Sequence, residues 1–433
     1  MCMMKFFLQC LRLGRCGTGK ESSILAPFLQ CRTFTETLCE PLEIEDYVVQ
    51  PIHDVSPIKW HLAHTTWFFE TFVLSKYFPS YTPFHPSYSY LFNSYYNAIG
   101  HRISKPERGT LSRPTIKDIY NYRRYVNRYI QELCNSEKYR TYQNEIDALL
   151  EIGIHHEQQH QELLMYDIKY IFFINPLFPI YQQPKHVQTV QKSKTVFYSI
   201  DEGVYSVGKA ESSSFGFDNE YPVHKVFLNE CKLANQLVTQ GEYLAFIEDR
   251  GYQNPLLWLD DGWAWLNTQN ICSPLYWKKE GSIWKVWTFY GWETLQQEIP
   301  VSHLSYYEAD AFARWAGKRL PTEFEWEVFS QKYQNRSSAF IDTGVLEPQI
   351  ANGEDVQHLY GTLWQWTASS YSPYPNYKQA KGAIGEYNGK FMINQMVLRG
   401  GSCVTSKAHF RPTYRNFFQP DKRWLFNGIR LAE

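Results

Sequence analysis

Between residues 144 and 173 the chain holds a helical pattern with no proline to interrupt it. Leu149, Gly153, His156, His160, Leu163 and Asp167 step by 4, 3, 4, 3 and 4, so they share one face of an α-helix. Such a face needs other helices against it, which commits this part of the chain to a helical core that receives two imidazoles. Imidazole nitrogens in an apolar core demand partners, and a metal ion is a good one.

The stretch "IHHEQQHQELLMYDIKY" (154–170) also matches the zinc-protease pattern H-E-x-x-H at His156-Glu157-Gln158-Gln159-His160. The downstream sequence argues against a protease. Such enzymes add a third ligand, commonly a His six residues on or an acid roughly twenty on. Position 166 is Tyr166, and Asp167 is the last acid before Asp201.

Three further helices are expected near 22–40, 55–78 and 115–136, the last opening after Pro114 with Thr115 as its cap. Its stripe of Ile119, Tyr122, Val126, Tyr129, Ile130 and Leu133 is amphipathic. Four helices of this length predict a bundle, and the connection 79–114 is too large for an idle loop and is placed to cover the bundle core. Beyond "YQQPKHVQTVQKSKTV" (181–196) the character changes to short β-like runs rich in Gly and Trp, with one clear helix at 305–319. The expected organisation is an α+β multidomain chain. It comprises a disordered extension over 1–25, a four-helix domain over 26–185, a linker over 186–196 and a loop-rich α+β domain over 197–433.

A length of 433 residues leaves ample core for two domains. The formal net charge of -1 gives no nucleic-acid or acidic-membrane footprint, and no run of 18 apolar residues exists to span a membrane. Nine cysteines (2, 10, 16, 31, 39, 134, 231, 272, 403) are odd in number and form no C-x-x-C pair, which points to reduced thiols and a cytoplasmic location. The N-terminal stretch has no small-residue cleavage site and does not read as a signal peptide. Its Gly14-x4-Gly19-Lys20 falls short of a P-loop, because Glu21 stands where a Ser or Thr must hold magnesium. An aromatic content of 17% supplies core and also the rings from which cages for cationic ligands are built.

A second histidine cluster lies in "SPIKWHLAHTTWFFETF" (56–72), where Trp60, His64, Trp67 and Thr71 form a stripe able to face the same core. His61 and His64 are one turn apart, and spacing alone leaves them as alternatives. Together with "HEQQH" this segment resembles the DinB-like four-helix domain of the sulfoxide synthases of ergothioneine biosynthesis. "FDNEYPVHKV" (217–226), "RLPTEFEWE" (319–327), "GTLWQWTASSY" (361–371), "LRGGSC" (398–403) and "RNFFQPDKRWLFNGIRLA" (415–432) resemble the formylglycine-generating-enzyme-like fold, a C-type-lectin-like α+β architecture. The resemblance covers roughly residues 27–433.

The resemblance implies an iron(II) site made by His64, His156 and His160, with His61 and His155 outside the ligand set. Three neutral imidazoles on one side of such an ion leave a face open for a thiolate, a substrate ring and O2. The implied substrate is hercynine, the trimethylated betaine of histidine, whose quaternary ammonium must be held by aromatic faces and carbonyl oxygens, each cation–π contact contributing about 0.5–2 kcal/mol. The implied product is a sulfoxide at the imidazole C2 carbon. Tyr95 and Tyr96 in "NSYYNAIGHR" match a tyrosine pair of one branch and favour cysteine as the thiol; Tyr371, with Tyr374, matches the catalytic tyrosine of another. Gln159, Arg415 and Asn416 are implied substrate contacts, and Glu157 is expected to cap or salt-bridge the helix surface. Cys403 has no paired cysteine of the kind that binds copper in a true formylglycine-generating enzyme and reads as a small buried hydrophobe. The same sites would serve a selenosugar donor in a selenoneine-forming synthase. From other classes, a DinB-like metal-dependent thiol transferase or a chain whose C-terminal half only binds a ligand are the rivals.

Overall fold

The computed structural model describes residues 24–183, 194–211, 214–333, 339–351, 353, 355–381, 383–386 and 388–433. The near-P-loop, nearly all of the 1–25 extension and most of the 186–196 linker lie outside the described residues.

Four long helices form the first domain: α1 (Leu25–Cys39), α2 (Ile58–Phe69), α3 (Ile116–Cys134) and α4 (Gln143–Ile174). Thr115 caps α3 as expected, its hydroxyl accepting from the Asp118 N–H while the Asp118 carboxylate accepts from the Thr115 N–H. The face of α3 led by Ile119, Tyr122, Val126, Ile130 and Leu133 is buried. All twelve residues of α2 are buried, so this helix has no solvent face. At Gly153 of α4 a Cβ would lie 2.3 Å from the Phe69 ring, which is why only glycine permits the close approach of α4 to the end of α2.

Beyond α2 the chain widens into a π-turn at Glu70–Leu74, a local irregularity common near functional sites. It presents Glu70 to the long connection: the carboxylate accepts from the Phe84 N–H at 3.0 Å, from Tyr122 Oη at 2.5 Å and from the Tyr81 hydroxyl. The connection is thereby tied down over the bundle, and its short helix Tyr88–Phe92 reaches the histidines.

Glu157 corrects one expectation. It lies in the bundle core with no exposure and accepts from Arg32 at 2.7 Å, Arg123 at 3.0 Å and Thr35 at 2.7 Å. α4 is enclosed on several sides at this level, so the face opposite the histidines is buried too, and arginines from α1 and α3 supply the charge that a buried carboxylate requires.

The second domain follows with little regular structure. β1 (Phe197–Ile200) pairs antiparallel with β4 (Cys231–Ala234), and β2 (Gly203–Val207) with β3 (His224–Leu228). β5 (Trp277–Glu280), β6 (Ile283–Thr288) and β7 (Gly291–Thr294) make an antiparallel meander. A four-stranded sheet has the order β10-β9-β8-β11, from Asn416–Phe418, Met396–Arg399, Trp364–Ser370 and Asn427–Gly428; its β8–β11 pair is parallel. The expected helix near 305–319 is present as Tyr306–Trp315, and helices at Gln240–Glu248, Asp260–Gln269 and Glu323–Lys332 join it. Cys403 is fully buried, and no disulfide joins Cys31, Cys39, Cys134, Cys231, Cys272 or Cys403. Among the described residues no helix is long and apolar enough to cross a membrane.

α4 also anchors the second domain. Glu162 accepts from Trp364 Nε1 (2.6 Å), Ser402 Oγ (2.7 Å) and Thr405 Oγ1 (2.8 Å), while Lys169 pairs with Glu347 at 2.7 Å beneath the Phe426 ring. Buried polar groups of this kind fix one docking geometry, because displacing them leaves desolvated charge unpaired.

Candidate metal centre

His64 of α2 and His156 and His160 of α4 each offer one nitrogen to a cluster in which these atoms lie within 4.8 Å of one another. Among the described residues it is the one group of three or more His, Cys, Asp or Glu side chains arranged so as to hold a metal ion. His64 lies between two indoles, stacked on Trp60 (4.5 Å, 10°) and on Trp67 (5.6 Å, 18°). Its Nδ1 donates to the Phe92 carbonyl at 2.6 Å, which leaves the Nε2 lone pair facing His156. His156 packs on Phe68, and His160 places Nδ1 2.9 Å from Nδ1 of His61.

His64 Nε2 and His156 Nε2 are 3.1 Å apart. Two nitrogens bound to one zinc-sized ion at about 2.0–2.1 Å are separated by roughly 2.9–3.4 Å, so this pair fits a shared metal. Burial holds His64 and His160 well below the ordinary imidazole range, and it takes His156 down to about 3. Neutral imidazoles are the form that binds metal.

These shifts fix a pH dependence for the metal-free protein. Unfolded imidazoles bind protons below about pH 6.5, whereas the fold keeps His64, His156 and His160 neutral. With folded values lowered, the stability they permit is complete above pH 6.5 and is lost as pH falls toward 3. The urea midpoint of the metal-free protein should therefore drop steadily from about pH 6.5 to 4. A His156→Gln variant should show a shallower drop, and parallel curves for the two proteins would contradict the assignment.

Of the other expected residues Tyr96 is tied to this centre through Trp67, whereas Tyr371, Arg415 and Asn416 lie in the second domain with partners of their own. Tyr96 is buried, with its ring 5.7 Å from Trp67, and burial raises its hydroxyl above the ordinary tyrosine range. Tyr95 packs tilted against Tyr96 (4.7 Å, 31°) and meets Phe391 of the second domain at 5.2 Å. Tyr371 stacks on Phe417 (4.1 Å, 10°), and its hydroxyl accepts from Asn219 at 2.8 Å. Phe391 and Phe417 are 5.9 Å apart, so both tyrosine groups belong to one aromatic wall. The Gln159 amide donates to the Tyr414 hydroxyl. Arg415 grips Glu323 at 2.8 and 2.9 Å and donates to the carbonyls of Asn219 and Ser372, 5.2 Å from the Tyr371 ring. The Asn416 side chain accepts from the Phe417 N–H. Tyr374 packs over Arg415 at 3.9 Å.

Arg108 emerges from the structure alone. The Arg108 guanidinium lies 3.4 Å above the Trp60 ring and donates to Ser56 Oγ at 3.0 Å, and its buried Nε has no hydrogen-bond partner among the described residues. Burial lowers it to about 9, which leaves it charged at neutral pH. It sits in the long connection, where no periodicity marks a side chain as inward; its adjacency to Trp60 arises only when the connection folds over the bundle.

A family model described as the sulfatase-modifying factor enzyme 1-like domain matches residues 182–334 and 328–433, and one for the DinB superfamily matches 28–164. The chain is 30% identical over 240 residues to a hercynine oxygenase of Mycolicibacterium smegmatis, covering 50% of this chain and 55% of that protein. A hercynine oxygenase of Mycobacterium tuberculosis is 31% identical over 239 residues, covering 50% and 55%. Ergothioneine biosynthesis protein 1 of Schizosaccharomyces pombe is 24% identical over 233 residues, covering 51% of this chain and 28% of that one. The chain thus spans about half the length of the hercynine oxygenases it matches.

Proposed function

This chain belongs to the sulfatase-modifying factor enzyme 1-like family, with a DinB-superfamily bundle ahead of the matching domain, and we propose that it joins hercynine to a thiol with O2. The observation that carries the reading is the convergence of three neutral imidazoles at the bundle core, in a chain related to proteins named hercynine oxygenase. His64, His156 and His160 would hold iron(II), which supplies O2 activation and a place for the thiolate; three imidazole ligands leave positions open for both. In the reaction the imidazole C2–H and the S–H bonds break while C–S and S–O bonds form. O2 takes up four electrons, giving the sulfoxide oxygen and one water.

The chain's own residues divide the remaining work. Trp60, Trp67 and the Phe92 carbonyl hold the His64 ring in one orientation. Arg108 offers a fixed positive charge to the carboxylate of an amino-acid substrate; a buried guanidinium with an unused donor gains most from such a partner. Gln159, fastened to Tyr414, and Asn416 at the start of β10 would contact hercynine, while Arg415 braces the ring of Tyr371. Tyr96 keeps a proton at Oη for delivery during the reaction. The Tyr95–Tyr96 pair favours cysteine as the thiol.

The test is anaerobic loading with iron(II), followed by mass spectrometry of products from hercynine with cysteine, γ-glutamylcysteine and a selenosugar offered in turn. The expected product is the hercynyl-cysteine sulfoxide, formed fastest with cysteine. Hercynine recovered unchanged with every donor would overturn the proposal, and a preferred selenosugar would replace the thiol by selenium.

A further inference from the structure

A chain of buried hydrogen bonds runs from the second domain to His160. Trp424 donates Nε1–H to Asp167 Oδ1 at 3.1 Å, and the Ser56 N–H donates to Oδ2 at 2.9 Å. Asp167 Oδ2 is also 2.9 Å from His61 Nε2, and His61 Nδ1 is 2.9 Å from His160 Nδ1. Asp167, His61 and Trp424 are 2%, 3% and 6% exposed, so water is kept from the links up to His61, while His160 at the end of the chain is half-buried.

The chemistry of the links fixes their direction. A carboxylate only accepts, so His61 Nε2 carries a hydrogen. With its single hydrogen there, neutral His61 has a lone pair at Nδ1, and His160 must donate from its own Nδ1. His160 is then left with a bare Nε2, the atom a metal needs. A doubly protonated His61 would force the reverse, with His160 accepting at Nδ1 and turning an N–H toward His64 and His156.

We infer that Trp424, Asp167 and His61 form a relay that sets the tautomer and ring orientation of His160, so that a tryptophan of the second domain helps to set the metal affinity of the bundle. His61 is a positioning residue: both of its nitrogens are engaged, and neither is available as a ligand. The inference rests on the proposed metal centre. Partners that orient metal-bound imidazoles are worth about 10–100-fold in affinity, usually through one carboxylate or carbonyl; here a second imidazole is interposed.

The experiment uses the full chain with cobalt(II) as the probe, reading the dissociation constant and the visible spectrum of the bound ion. His61→Leu should weaken binding about 10–100-fold and shift the spectrum, whereas His61→Gln, able to accept from His160 and donate to Asp167, should stay within about threefold of the parent. Trp424→Phe, which removes one donor to Asp167, should lie between them. A packing role alone would be disturbed by the leucine and glutamine changes alike. Unchanged affinity and spectrum in both His61→Leu and Trp424→Phe would overturn the relay. Should His61→Leu not fold, Trp424→Phe decides alone, with an unchanged constant counting against the relay. A parent protein that binds no cobalt(II) would instead sink the metal centre, and the relay with it.

Discussion

Glu157→Ala lowers the free energy of unfolding by about 3–5 kcal/mol, a large fraction of the stability of an ordinary domain. The carboxylate has no exposure and bridges Arg32 and Arg123, two guanidinium groups that are themselves buried. The two arginines hold it as a carboxylate down to about pH 2, against the effect of burial. Its loss strands positive charge in the core and leaves the Thr35 hydroxyl only the Cys31 carbonyl, at 3.1 Å, to donate to. Arg123 keeps its second partner, Glu36, which is 37% exposed, so that surviving pair lies in a more polar setting and recovers little. Urea unfolding of Glu157→Ala and Glu36→Ala side by side measures the effect. A loss below about 1 kcal/mol for Glu157→Ala, the level of an exposed pair, would show that the network is not a stabilising core element.

Tyr96→Phe should leave metal and substrates bound while cutting the carbon–sulfur product by about 10²-fold or more and raising the oxidised thiol in its place. In the proposed reaction coupling must outrun simple oxidation of the thiol, and a proton delivered on time would separate the two outcomes. Among the three candidate tyrosines, Tyr96 is linked to the centre by the shortest path: its ring meets Trp67, and Trp67 lies on His64. Its raised value keeps Oη protonated throughout the neutral range. Tyr95 stands behind it, and the Tyr371 hydroxyl already accepts from Asn219. The measurement is the ratio of sulfoxide to oxidised thiol at matched O2 consumption. A ratio unchanged in Tyr95→Phe, Tyr96→Phe and Tyr371→Phe would remove the tyrosines from this role.

The bundle was legible because its helices announce themselves by period. Thr115 and the stripe of α3, and the two histidines one turn apart on α4, follow from spacing alone. The choice between His61 and His64 did not, since α2 is buried all round and offers no polar face to orient it. The structure gives each a task, His64 facing the cluster and His61 holding His160 from behind. Glu157 was misplaced for the same reason: a charge on a helix reads as surface unless its buried partners, here 125 and 34 residues away in sequence, are known. The helices Gln240–Glu248, Asp260–Gln269 and Glu323–Lys332 were missed because they owe their place to packing in the second domain, although Thr239 with Glu242 and Thr322 with Glu325 spell capping boxes.

The most direct test of the account is an anaerobic iron(II) titration of the parent chain and of a His64→Ala, His156→Ala double variant, read as tightly bound iron per protein with circular dichroism confirming the fold. The parent should retain one equivalent and the variant essentially none, since two of three ligands are gone and His160 alone cannot hold the ion. A folded double variant that keeps one equivalent of iron would place the metal elsewhere and contradict the assignment of His64, His156 and His160.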